Sequence, residues 1–204
     1  MLPNTFQELI RHFVNLPSIG PKMAERLTLF VFKQSKEDII SFSHALEALT
    51  KLSSCKRCYA ISDQEYCSIC RDPKRDTTIL CVVEDALDAI AIERTGVFSG
   101  RYHILGGVIE PGKNKKQIDA PLTVSDLLQR TEKENIQEIL LATNPTSEGD
   151  LTALYIRQQL NQFPHIRISR IARGLATGGD IEHADEQTLI SSLQNRRYYE
   201  SLSK

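Results

Sequence analysis

Hydrophobic positions in the first quarter of the chain recur every three or four residues, the spacing of amphipathic helices. This pattern predicts one helix over residues 6–14, a second with apolar residues on one face, and a third from about residue 36 to residue 52. Two prolines and a glycine within residues 16–22 end the first helix and precede the second. The N-terminal region is therefore predicted to be helical.

From residue 77 onward the pattern changes to short apolar runs separated by helical stretches. Residues 78–83 form a β-branched run typical of a buried parallel strand. Further strands are predicted over residues 102–105, 138–142 and 166–171, and helices over residues 85–95, 124–135 and 150–162. This alternation predicts a parallel α/β domain, followed by a tail with a short helix near residues 184–193.

Four cysteines lie between these two regions, as Cys55 and Cys58, then eight further residues, then Cys67 and Cys70. Two Cys-x2-Cys turns at this separation can offer four thiolates to one tetrahedral zinc ion. The residues between the two turns are too polar to build a core, so we expect the metal to supply much of the local folding free energy. Two disulfides, a redox pair and a chance spacing are the alternatives. The sequence predicts one structural zinc ion.

Composition narrows the class of protein. Of the 204 residues, 41% are hydrophobic and 25% are charged, as in ordinary globular proteins, and the net charge is −1. Any contact with nucleic acid must therefore come from locally placed basic residues. The N-terminus lacks the pattern of a signal peptide, and the apolar stretches are too short to cross a bilayer. Together with the cysteine usage, this leads us to expect a cytoplasmic protein without membrane partners.

The turn between the first two helices is a candidate DNA-binding element. Residues 16–27 resemble a helix-hairpin-helix motif, in which backbone N–H groups at the start of the second helix face a phosphate. Gly20 allows close approach of the backbone, and Lys22 and Arg26 lie one turn apart on one face. The motif usually has glycine where this chain has Ser18. The alternative is an ordinary αα-hairpin with solvated basic residues.

Acidic residues follow the first and third predicted strands. Glu84 ends the first strand, and Glu148 and Asp150 follow the third. The arrangement resembles the Toprim domain of topoisomerases and primases, in which a glutamate and an Asp-x-Asp pair hold Mg²⁺. Here the two aspartate positions are Asn144 and Thr146, so the site loses most of its negative charge and Mg²⁺ is disfavoured. The remaining acids form either a weak divalent site or the cap of the following helix.

The order of hairpin, four-cysteine knuckle and Toprim domain resembles the RecR family of bacterial recombination mediators. The most specific stretches are Leu16 to Leu27, Cys55 to Cys70, Cys81 to Glu84, Glu93 to Gly96, Ala142 to Asp150 and Arg173 to Asp180. The resemblance implies a DNA-binding protein without enzymatic activity, which acts with RecO and often RecF to load RecA onto single-stranded DNA. It also implies a homo-tetramer or dimer.

By the same resemblance, Gly20, Lys22 and Arg26 are expected to contact the DNA backbone. Glu84, Glu148 and Asp150 are expected to form a negative patch that docks a basic partner protein. The loop with Lys113, Lys115 and Lys116 differs from the family pattern, so its role is left open.

Two other functions compete with this hypothesis. A Toprim-type metal-dependent nuclease or primase is disfavoured by Asn144 and Thr146, and a pure protein-interaction scaffold by the basic hairpin. The expected domains are a helix-hairpin-helix region over 1–54, a zinc finger over 55–70, a Toprim domain over 77–173 and a C-terminal segment over 174–204.

Overall fold

The computed structural model describes residues 2–112 and 122–196. The chain folds as two units, Met1–Leu52 and Ser53–Lys204. The predicted basic loop with Lys113, Lys115 and Lys116 lies outside the described residues. No helix in the described part is long and apolar enough to cross a membrane.

The first unit is helical, as predicted. It contains α1 (Asn4–Val14), α2 (Pro21–Phe32) and α3 (Lys36–Leu49). Helices α1 and α2 pack together, and the rings of Phe6 and Phe32 meet edge to face with centroids 6.2 Å apart. Helix α3 ends earlier than predicted because the Thr50 hydroxyl donates to the carbonyl oxygen of Glu47 at 2.7 Å and competes with continued helix.

The first unit has almost no interior. Within residues 2–52 only Ala24 and Thr28 are buried, and they lie one turn apart on α2. The Thr28 hydroxyl donates to the carbonyl oxygen of Ala24 at 2.9 Å, which satisfies this buried polar group. Large apolar side chains remain exposed, including Phe30 at 63% and Leu49 at 59%. This amount of exposed apolar surface is typical of an interaction site.

The second unit begins with the cysteine knuckle and continues as an α/β domain. The knuckle contains β1 (Ser53–Ser54), β2 (Ile61–Ser62) and the short α4 (Ser68–Arg71). The strands of the main sheet are β3 (Ile79–Val83), β4 (Arg101–Ile104), β5 (Glu138–Leu141) and β6 (Arg167–Arg170). The helices are α5 (Ala86–Glu93), α6 (Val124–Lys133), α7 (Ser147–Leu160) and α8 (Glu186–Gln194), with a 3₁₀ turn at Ile181–His183 before α8.

The sheet is parallel, with strand order β4-β3-β5-β6, which confirms the predicted α/β fold with a helical N-terminal region. After β3 the chain forms β4 on one side of this strand. It then crosses over to form β5 on the other side of β3. The carboxyl ends of β3 and β5 therefore form the topological switch point, where open α/β sheets gather functional residues. Residues that follow these two strands are brought together although Glu84 and Asn144 are 60 positions apart.

Both faces of the sheet are covered, but by different elements. Leu80 and Val82 of β3 face a core that includes Leu127 of α6 and Ile156 of α7. Cys81 and the other alternate residues face a second core, which α5 and the cysteine knuckle cover. The knuckle thus takes the place of a helix on this face of the sheet, and its position depends on contacts with the sheet.

Candidate functional site

The four predicted metal ligands meet in one buried cluster. The sulfur atoms of Cys55, Cys58, Cys67 and Cys70 all lie within 4.8 Å of one another, and those of Cys58 and Cys67 are 3.5 Å apart. A zinc ion with sulfur ligands at about 2.3 Å places the ligands about 3.8 Å apart at the corners of a tetrahedron. The cluster therefore fits a four-thiolate zinc ion and leaves no coordination position for a substrate.

Local backbone geometry presents these sulfur atoms. Tyr59 adopts a left-handed conformation with φ of 66°, which folds the first turn back so that its N–H donates to the carbonyl oxygen of Cys55 at 2.9 Å. The N–H of Cys67 donates to the sulfur of Cys55 at 3.3 Å. Hydrogen bonds from the Cys58 thiol, and next from Cys70, lower the pKa of Cys67, which favours the thiolate that zinc requires.

The fifth cysteine has a different environment. Cys81 is fully buried in β3, and burial raises the pKa of its thiol to about 12. A thiol of this kind is inert towards metals and oxidants. Cys81 therefore acts as a small hydrophobic residue of the core.

The knuckle contacts the edge strand β4 and the end of α6. The N–H of Ile104 in β4 donates to the carbonyl oxygen of Cys58 at 2.9 Å. The rings of Tyr59 and His103 meet edge to face at 5.6 Å, and the Arg57 guanidinium pairs with Glu134, just after α6, at 2.9 Å. The sequence predicts that the metal supplies much of the knuckle's folding free energy, and these contacts add a contribution from the rest of the second unit.

A buried arginine bonds to both the knuckle and β4. The guanidinium of Arg130 pairs with Glu134 at 3.1 Å and donates to the carbonyl oxygens of Tyr102 at 2.7 Å and Arg57 at 3.4 Å. Burial, followed by the nearby Arg130 charge, lowers the pKa of the neighbouring His103 to about 4. His103 is therefore neutral near pH 7. The role of Arg130 could not be predicted from the sequence, because its partners are up to 73 residues away.

The predicted DNA-contacting residues lie at the turn between α1 and α2. Gly20 caps α2 and Pro21 is its first residue, as the motif requires. A side chain at position 20 would meet no atom within 4 Å, so the backbone here faces open space. Lys22 and Arg26 are exposed, and neither side chain has an ion-pair partner among the described residues.

The departure from the motif at Ser18 does not change the backbone. Ser18 adopts a left-handed conformation with φ of 63°, which glycine adopts without steric cost. The serine takes the conformation expected of the motif's glycine, at a cost of about 1 kcal/mol. The turn therefore keeps its shape.

The acid that ends the first strand is held at the switch point. Glu84 is 9% exposed, and its two carboxylate oxygens accept hydrogen bonds from the backbone N–H and the side-chain amide of Asn144, each at 2.7 Å. The hydroxyl of Thr146 accepts from the N–H of Gly149 at 3.0 Å and caps α7, which explains why α7 begins three residues before the predicted start.

Asp150 is paired with two arginines that the sequence analysis did not assign to this site. Its carboxylate contacts Arg173, and Arg170 at 3.1 Å. The hydrogen bond from Arg173, and then that from Arg170, lowers the pKa of Asp150, whereas burial lowers the pKa of Arg170. Arg170 could have been predicted as a site residue from its position at the end of β6, since functional residues gather at strand ends. Glu148 is half-buried, with no side-chain hydrogen bond or ion pair among the described residues.

Comparison with known protein families assigns every region of the chain. A family model described as "RecR, helix-hairpin-helix" matches residues 6–50, and the model for the four-cysteine zinc finger domain of RecR matches residues 52–72. A Toprim domain model matches residues 78–172, and one described as "RecR, C-terminal" matches residues 174–197. The zinc prediction is thereby confirmed, because the matched zinc-finger segment contains the four clustered cysteines.

Individual relatives align with nearly the whole length of this chain. The recombination protein RecR of Synechococcus elongatus is 44% identical over 192 residues, which are 93% of this chain and 94% of the relative. That of Roseiflexus sp. strain RS-1 is 43% identical over 200 residues, or 97% of this chain and 95% of the relative. The chain therefore belongs to the RecR family of DNA recombination and repair proteins.

Proposed function

We propose that this chain is a non-enzymatic recombination mediator that binds the DNA backbone through its hairpin and acts with RecO-like and RecF-like proteins to load RecA onto single-stranded DNA. The observation that carries the DNA contact is the exposed start of α2, where Gly20, Lys22 and Arg26 lie together without an acidic partner among the described residues. Family membership supports the role in recombination.

The chemistry of this surface favours phosphate over bases. The start of a helix carries partial positive charge and N–H groups without helical partners. Lys22 and Arg26 add two full charges on the same face. Neither group selects a base, so binding should be independent of sequence and sensitive to salt. This agrees with a net charge of −1, because the basic residues need only be concentrated locally.

Substitution of the two basic residues tests the DNA contact. Lys22→Ala and Arg26→Ala should each weaken binding about five- to tenfold for unrelated sequences and lower the slope of log K against log salt by about one unit. Fluorescence anisotropy over a series of salt concentrations measures both effects. Lys33→Ala is the matched control, since Lys33 is exposed at the opposite end of α2. Equal affinities for all four proteins would place the DNA surface elsewhere.

Self-association is the second part of the proposal. The first unit buries only Ala24 and Thr28 among residues 2–52, while α3 has no buried residue and exposes Ile40, Phe42, Leu46 and Leu49. An amphipathic helix with an uncovered apolar face is stabilised by a partner surface. We infer that first units of different copies cover one another in a dimer or tetramer. A sedimentation mass that stays near 23.0 kDa at every concentration would exclude this.

The third part is docking of a basic partner at the sheet end that carries Glu84, Glu148 and Asp150. Glu84 and Asp150 are engaged within the fold, so Glu148 is the acid with a carboxylate available to a partner. Glu148→Gln should weaken binding of a RecO-like protein about three- to tenfold at low salt and less at high salt. Calorimetric titration measures this. Glu132→Gln, which removes an exposed acid from α6, should leave the affinity unchanged.

A Toprim-type nuclease or primase is the alternative function. It would need a carboxylate-rich site for Mg²⁺ to stabilise the charge of a transferred phosphoryl group. The switch point instead has one buried glutamate bound by an amide. The proposed mediator should give no cleaved or primed DNA in Mg²⁺ or Mn²⁺, and such a product that disappears in a Glu84 variant would favour the enzyme.

A further inference from the structure

Glu84 is a buried acid that is fully engaged by an uncharged residue. Its two carboxylate oxygens accept from two donors of Asn144, and both donor–acceptor distances are 2.7 Å. Arg170 lies near this carboxylate, but its guanidinium bonds directly to Thr143 and Asp150 rather than to Glu84. Two short hydrogen bonds to one buried carboxylate make a strong interaction.

The side-chain amide is essential to this arrangement. An aspartate at position 144 would put a carboxylate oxygen where the amide nitrogen now lies, 2.7 Å from the other carboxylate. Two like charges at this distance in a partly buried site repel each other unless a proton or a cation lies between them. The residues present do not fit the Mg²⁺ site of Toprim enzymes, but they do fit a site in which an amide hydrogen takes the place of the cation.

The packing around the pair shows what it holds in place. Helix α7 approaches so closely that a side-chain carbon at Gly149 would overlap the carbonyl oxygen of Asn144 and lie 2.7 Å from Glu84 Oε1. The Thr143 hydroxyl donates to the carbonyl oxygen of Gly149 at 2.6 Å, and it accepts from Arg170 at 2.5 Å. The first turn of α7, which presents Glu148, is therefore fixed directly against the Glu84–Asn144 pair.

From this geometry we propose that Asn144 is a positioning residue that replaces the divalent cation of the Toprim site. Its amide compensates the charge of Glu84 by hydrogen bonding and pins the turn between β5 and α7 to the end of β3. The switch point thus keeps its closed arrangement without a metal ion, and Glu84 is retained as an acceptor that anchors the turn.

The test converts the amide into the carboxylate of a metal site. Asn144→Asp should lower the melting temperature by about 5 °C or more in magnesium-free buffer, because one strong hydrogen bond is replaced by repulsion. The buffer contains no chelator, since a chelator would also remove the structural zinc. Addition of millimolar Mg²⁺ should restore most of the loss in this variant and leave the wild-type protein unchanged. Asn144→Ala should be destabilised with no response to Mg²⁺, because it lacks both the amide and a metal ligand.

Exchanging the carboxylate and the amide between positions 84 and 144 distinguishes this specific hydrogen bond from a general effect on packing. The double variant Glu84→Gln with Asn144→Asp again pairs one amide with one carboxylate, so it should melt above Asn144→Asp in magnesium-free buffer and show no response to Mg²⁺. This comparison decides the matter even if Asn144→Asp does not fold without metal. Stabilisation of the wild-type protein by Mg²⁺, no loss in Asn144→Asp, or a double variant no more stable than that single variant would each overturn the proposal.

Discussion

Replacing Cys58 by serine is expected to remove zinc from the protein and to unfold the knuckle. The wild-type protein should contain about one zinc ion per chain and the variant almost none, because three thiolates hold the ion far less tightly than four. The cost in stability should exceed about 4 kcal/mol, since metal binding and local folding are coupled. Elemental analysis and urea unfolding measure the two effects.

The effect should spread to one strand of the sheet. The N–H of Ile104 donates to the carbonyl oxygen of Cys58, so hydrogen exchange at Ile104 should accelerate in the variant. Cys81→Ala is the matched control, because this cysteine is buried outside the cluster. It should keep its zinc and lose only about 1 kcal/mol from a small cavity. A Cys58→Ser protein that stays folded without metal would show that the sheet alone holds the knuckle.

Replacing Arg130 by alanine should be nearly as damaging, at about 3–5 kcal/mol of unfolding free energy. The side chain is buried, and it bonds to Glu134 and to the carbonyl oxygens of Tyr102 and Arg57. Its removal leaves buried acceptors unsatisfied and deprives Glu134 of one of its two cations. Urea unfolding monitored by circular dichroism gives the change.

A surface pair provides the comparison for Arg130. The side chain of Arg167 is 79% exposed and lies 3.5 Å from Glu138, so Arg167→Ala should cost no more than about 1 kcal/mol. Zinc content should stay near one per chain in both variants, because neither residue is a metal ligand. If the two variants were equally stable, the buried network beneath the knuckle would contribute nothing beyond an ordinary surface pair.

The order of strands and helices could be predicted because local patterns determine it. The run that ends at Val83 is β-branched and apolar on both faces, as expected of a central strand that is covered on both sides. The metal cluster could also be predicted, because its four ligands lie close together in the sequence, between Cys55 and Cys70. The bounds of α3 and α7 were less predictable, since they depend on single side-chain hydrogen bonds from Thr50 and to Thr146.

Contacts between distant residues could not be predicted in the same way. Glu84 and Asn144 were expected at the carboxyl ends of neighbouring strands, but nothing in the sequence indicated that the amide of Asn144 would bind the carboxylate of Glu84. Nothing in the sequence pairs Arg130 with Tyr102 or Arg173 with Asp150, because these partners are brought close only by the fold. The family resemblance led us to expect Asp150 to face a partner protein. Its pairing with two arginines could not be predicted, because they are 20 and 23 residues away in the sequence.

The hydrogen bond from Ile104 to the knuckle has a consequence for chains that lack metal. Strand β4 forms one edge of the sheet, and such edges readily pair with strands of other molecules unless something covers them. The first cysteine turn covers part of this edge, and we expect it to do so only while zinc holds the shape of the turn. At the other edge, β6 carries Arg167, whose exposed charge discourages such pairing without any metal. Zinc starvation should therefore make the chain prone to aggregation from the β4 side.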